Sequence, residues 1–119
     1  MAKGKAETYG QLTRRVREER DYGLREFANL IGVSATYLSQ VERGELPPPA
    51  ERRVIKTAEL LGLGQDELLA LAGRVPSDLE SIILEKPRET ADLLRYVKNM
   101  TTEQLADLVK TLQKGKTKR

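Results

Sequence analysis

Between Ser34 and Arg43 the chain places Ala35, Thr36, Tyr37, Ser39, Gln40 and Arg43 around two apolar residues, Leu38 and Val41. If this stretch is a helix, Leu38 and Val41 face inward and the other six face outward. The outward side chains are mostly short or polar, with hydroxyl, amide and guanidinium groups among them. Such a set suits hydrogen bonding to base edges in a nucleic-acid groove. Catalytic chemistry is poorly provided for. The 119 residues include no cysteine, histidine or tryptophan. That excludes a thiol nucleophile, a disulfide framework, a Cys-based zinc site and imidazole acid–base catalysis. The neighbouring acids Glu18-Glu19 and Asp66-Glu67 read as helix surface and helix start, not as an acid–base pair. The expectation is a non-enzyme with no catalytic residues, no metal and no cofactor.

The elements that must hold this set are all helical by pattern. Tyr9, Leu12 and Val16 recur at helical spacing, followed by Gly23. Leu24, Phe27, Ala28 and Ile31 form one stripe, and Gly32 stops it. Ser34 is placed to cap the next helix with its hydroxyl. Pro47, Pro48 and Pro49 then impose a fixed turn. Val54, Ile55, Ala58 and Leu61 mark a fourth helix, and Leu68, Leu69 and Ala72 a fifth. Ala28 is small where two helices must cross closely, Gly32 permits the reversal, and Val33 and Leu38 fill the angle. These are the parts of a helix-turn-helix.

Leu24 to Ala28, Ile31 to Ser34 and Tyr37 to Gly44, followed by the three prolines, resemble the phage-repressor-type regulators, the Cro and xenobiotic-response-element class. Arg14 to Glu19 and Ala58 to Gly62 agree with it, and the likeness covers roughly Tyr9 to Gly73. It implies an all-α, five-helix, lambda-repressor-like DNA-binding domain over 9–73 that recognises double-stranded DNA, with Ser34–Arg43 as the recognition helix in the major groove. By position, Ala35, Thr36 and Gln40 fall on the family's base-reading sites, with Tyr37 beside them as either a base contact or a half-buried packing residue. Gly23 and Arg25, at the start of the second helix, and Ser34, Ser39 and Arg43 become phosphate contacts. Arg17 and Glu42 match a structural ion pair of the family. There are departures. Gly23 stands where a polar cap is usual, and Glu45 and Glu51 lie near the loop expected to face the DNA backbone, where acids repel phosphate.

Gly73 and Pro76 mark the boundary to a second region, 77–113. Ser77-Asp78-Leu79-Glu80 and Thr101-Thr102-Glu103-Gln104 both fit capping boxes. Leu93, Leu94, Val97, Leu105, Leu108, Val109 and Leu112 form apolar stripes there. Two occupants are open for these stripes. A second copy of the chain would make a two-fold dimer that reads a near-palindrome, and this reading is preferred. The alternative is an antitoxin or partner-controlled switch that docks a toxin or antirepressor. Leu69 to Leu79 is also similar to regulators removed by a dedicated metalloprotease, which implies a regulatory protease as partner. The first eight residues are expected to be flexible, and Lys114 to Arg119 to be a disordered basic tail.

Composition permits all of this without demanding it. Hydrophobic residues make up 39% and charged residues 33%, and the net charge is +3. A single Phe leaves the core to Leu, Ile, Val and Ala. The basic excess is too small to announce nucleic-acid binding, so placement of charge must carry the argument. No apolar run approaches the ~20 residues of a bilayer span. Met1 to Lys5 do not lead into a secretory signal. A cytoplasmic, bacterial or phage-encoded regulator with no membrane partner is expected.

Overall fold

The computed structural model describes residues 6–117, and every regular element among them is an α-helix. The chain divides into two compact units, Met1–Pro76 and Ser77–Arg119.

The first unit holds α1 (Tyr9–Glu19), α2 (Leu24–Ile31), α3 (Ala35–Glu42), α4 (Glu51–Leu61) and α5 (Gln65–Leu71). Each helix buries one stripe. In α1 that stripe is Tyr9, Gly10, Thr13, Val16 and Arg17, and in α4 it is Val54, Thr57, Ala58 and Leu61. The stripes form two apolar clusters. One joins Tyr9, Val41, Val54, Ala58, Leu68 and Leu69, and the other joins Val16, Phe27, Ala28, Ile31, Leu38 and Leu61. Leu12 and Leu63 pack against both. Phe27, the lone Phe, is only 1% exposed and meets the Tyr22 ring edge-on at 5.2 Å.

Backbone detail explains the close packing. A Cβ on Gly10 would lie 2.5 Å from the Val41 carbonyl oxygen and 2.6 Å from that of Glu42. Only glycine lets α1 rest on the last turn of α3. Gly32 ends α2 at φ 78°, in the left-handed region that glycine reaches without strain. Arg53 crosses from α4 to donate to the Ile31 carbonyl at 3.0 Å, satisfying a group the helix end leaves free. Arg74 similarly donates from Nε to Pro49 O and from Nη2 to Pro48 O, both at 3.0 Å, so the three-proline turn is held from the far end of the unit.

The second unit holds α6 (Ser77–Glu85), α7 (Pro87–Val97) and α8 (Thr102–Thr117), with α6 packed on α7. Pro87 opens α7 at its first turn, where its missing N–H costs nothing. The Thr101 box forms as expected: Thr101 N donates to Gln104 Oε1 at 2.9 Å, and Gln104 N donates to Thr101 Oγ1 at 3.0 Å. α6 begins at Ser77 itself, one residue earlier than a capping role for that serine implies.

Both expected chain ends need correction where they are described. Thr8 caps α1 in a reciprocal bond with Gln11, and Glu7 accepts two 2.8 Å hydrogen bonds from Arg15. These two residues are therefore held in place; residues 1–5 lie outside the described residues. At the other end α8 continues through Thr117, so Lys114 to Thr117 extend a helix. Gln113 and the lysines are good helix formers, and lengthening an existing helix costs little even across Gly115. The last two residues lie outside the described residues.

Candidate nucleic-acid interface

α2 and α3 are positioned by their own caps. Ser34 accepts from Tyr37 N at 3.0 Å through its Oγ, which starts α3 and leaves the hydroxyl proton unused in that bond. Leu38, Val41 and Glu42 are the buried residues of α3, and its opposite side faces solvent. Thr36 is exposed, and Ala35, Ser39 and Gln40 are half-buried. The Gln40 side chain makes no hydrogen bond among the described residues, so both ends of its amide are open to a partner. Leu24, Arg25, Ala35, Thr36, Ser39 and Arg43 line one shallow depression. Two cations, two hydroxyls and a methyl thus converge along the junction of α2 and α3.

Other expected contacts stand differently. Tyr37 is half-buried against the Tyr9–Val41 cluster, so its ring is engaged in packing. The Gly23 N–H donates to Glu26 Oε1 at 3.3 Å, and that amide is already satisfied within the chain. Arg25 is exposed and carries no ion pair among the described residues.

Arg43 is occupied. Its Nε and Nη2 donate to the two Glu45 oxygens at 2.9 and 3.1 Å, and its Nη1 donates to Ser39 Oγ. The hydrogen bonds from Arg43 hold the Glu45 carboxyl below the usual carboxylate range, and Glu45 raises Arg43 in turn. Two cations of α1 outside the expected contacts are also paired: Arg14 with Glu18, and Arg15 with Glu7 and Glu19.

Arg17 and Glu42 meet as a bidentate pair between α1 and the end of α3, at 2.7 and 3.0 Å. Their side chains are 7% and 5% exposed. Arg17 also donates to the Tyr22 carbonyl at 2.8 Å. Accepting from Arg17, Glu42 raises the arginine above its ordinary pKa, against the opposing effect of burial. The pair locks the angle of α3 without reaching the solvent face.

Sequence reasoning missed three contributors. The Arg53 and Arg74 bonds to carbonyls bridge residues 22 to 26 positions apart, and no local pattern announces them. The Arg43–Glu45 pair is legible as an i, i+2 opposition of charge, but only the turn through Gly44, at φ 78°, folds one onto the other.

Residues 8–71 match the family model described as a helix-turn-helix domain. The HTH-type transcriptional repressor RghR of Bacillus subtilis (strain 168) is 32% identical over 88 residues, 67% of this chain. The chain spans 65% of the length of that relative. Among solved structures, SinR, the master regulator for biofilm formation, in complex with DNA is 32% identical, with a TM-score of 0.47 over 52% of this chain and 98% of that one. The N-terminal DNA-binding domain of SinR from Bacillus subtilis is 33% identical, with a TM-score of 0.46 over 51% and 88%. With more than half its residues matched, the chain belongs to the helix-turn-helix domain family, of the phage-repressor type that its sequence resembles.

Proposed function

We propose that this protein is a sequence-specific DNA-binding transcriptional repressor. It binds a near-palindromic operator as a homodimer with the Ser34–Arg43 segment in the major groove. The observation that carries the reading is the convergence of Arg25, Ala35, Thr36, Ser39 and Arg43 beside a solvent-facing α3. Thr36 and Gln40 read bases: the amide of Gln40 matches adenine, and the methyl groups of Thr36 and Ala35 suit thymine. Arg25, Ser34, Ser39 and Arg43 hold phosphates, with Gly23 at the same helix start. Tyr37 contributes packing first and reaches DNA only at its exposed edge. The relative RghR is named a transcriptional repressor, which favours repression for this chain.

The second unit supports the dimer. None of its described side chains is buried. Leu93 is 57% exposed, Leu94 52% and Leu112 64%, with Leu108 and Val109 also exposed and Val97 and Leu105 half-buried. A helical unit with no core of its own gains stability by covering such faces. A two-fold pairing sets two recognition helices about 34–36 Å apart along the duplex, one helical turn. No described helix is long and apolar enough to cross a membrane, and the reading places the protein in the cytoplasm, on the nucleoid.

Selecting bound duplexes from a randomised pool, and counting chains per duplex by sedimentation, tests the proposal. Enrichment of an inverted repeat carrying two chains is expected. A pool that stays random in dilute salt refutes sequence-specific binding, and one chain per enriched site refutes the dimer.

A further inference from the structure

We propose that Glu45 is an internal competitor for DNA phosphate, holding Arg43 so that strand contact by this arginine requires exchange of the carboxylate for a phosphate. The inference rests on the DNA-binding reading above and goes beyond it by assigning a role to an acid at the edge of the interface.

Arginine grips carboxylate and phosphate by the same fork of parallel N–H groups. Here the fork is closed on Glu45 at 2.9 and 3.1 Å, and the remaining terminal nitrogen donates to Ser39. The carboxylate does not arrive by chance. Glu45 N and Leu46 N both donate to the Gln40 carbonyl, at 2.8 and 3.3 Å, and Gly44 turns the chain at φ 78°. The backbone that carries the acid is thus fixed to the same helix that carries the arginine. Both side chains are about half exposed, 49% and 54%, so the pair adds little to stability and exchanges readily. A structural role is therefore weak, whereas the effect on a phosphate ligand is direct. Arg25, across the same depression, has no such partner. One of the two cations is masked and the other is open.

The consequence is selectivity. Nonspecific affinity comes from cations meeting phosphates wherever the protein lands. Masking Arg43 lowers that background, and the arginine is released where close docking on the right bases outweighs the exchange.

The test compares wild type, Glu45→Gln, Arg43→Gln and the double variant on a scrambled duplex, by fluorescence anisotropy across a salt series. In the wild-type background Glu45→Gln is expected to tighten binding up to about tenfold and to steepen the salt dependence by roughly one counterion, ~0.9 in the log–log slope. In the Arg43→Gln background the same change is expected to do little. Equal tightening in both backgrounds would show Glu45 acting as a bulk negative charge, and no tightening in either would show it inert; each result overturns the proposal. If wild type binds the duplex and Glu45→Gln matches it, this inference alone fails. If wild type binds no duplex in dilute salt, the DNA-binding reading fails first. Circular dichroism of all four proteins confirms that the exposed substitutions leave the helices intact.

Discussion

Replacing Arg17 by methionine isolates the energetic weight of the lock between α1 and α3. The substitution keeps a long side chain but removes the groups that donate to Glu42 at 2.7 and 3.0 Å and to the Tyr22 carbonyl at 2.8 Å. Glu42, 5% exposed, then carries a charge with no partner. Breaking one side of a buried pair costs about 3–5 kcal/mol. The lower end applies here, because Arg17 Nη2 lies 3.8 Å from Glu18, which is 55% exposed, and water can enter by that route. A loss near 3 kcal/mol is a large share of the roughly 5–15 kcal/mol that holds a small domain together. Urea unfolding followed by helical circular dichroism measures it. The double variant Arg17→Met with Glu42→Met removes the orphaned charge and should recover most of the loss, since apolar replacement of a buried pair is often neutral. A single variant that loses less than about 1 kcal/mol, or a double variant as unstable as the single, would refute the claim that desolvated charge is what matters.

Three further outcomes are expected. Gly10→Ala should destabilise by about 1–3 kcal/mol, because its Cβ would meet two backbone carbonyls at 2.5 and 2.6 Å; a more stable variant in thermal unfolding would show that α1 can move off α3. Gln40→Ala should weaken the selected operator by about 1–3 kcal/mol while leaving scrambled DNA nearly unchanged, and equal losses on both in titration would remove Gln40 from base reading. Burial raises Tyr9 from 10.0 to about 12, with a hydrogen bond to Thr57 offsetting part of the shift. The folded state therefore keeps a proton that the unfolded chain loses above pH 10, so this contribution is complete below pH 10 and lost between 10 and about 12. Urea unfolding across that range should show Tyr9→Phe less sensitive to alkali than wild type, and parallel pH profiles would contradict the assignment.

How much could be read in advance depends on how local each determinant is. Gly32 and Ser34 punctuate the chain within three residues, so the reversal between α2 and α3 and the start of α3 are legible from sequence. The heptad-like stripes of α1 and α4 are legible for the same reason, since Val16, Val54, Ala58 and Leu61 fall at helical spacing. The Arg17–Glu42 pair, 25 residues apart, came through family resemblance and not through any local signal. Arg53 and Arg74 had no such help, because an arginine that satisfies a distant carbonyl looks like any surface cation until the turns are folded. The far end of α8 was hidden for the opposite reason. Its last turn, from Lys114 on, holds no apolar residue in the sequence, and reading by apolar periodicity is blind to such a turn. Tyr37 was ambiguous because a ring at the edge of a stripe serves either side, and only the folded chain shows it resting half-buried against the core cluster.

Leu38 and Val41 sit three positions apart on α3, yet each is sunk in a different one of the two apolar clusters. The rod is therefore nailed at two points to masses that Leu12 and Leu63 weld together. Fraying is thereby opposed, and the hydrogen-bonded amides from Leu38 to Arg43 should exchange slowly with solvent. In the proposed role, a helix already ordered before contact would spend little binding free energy on ordering itself.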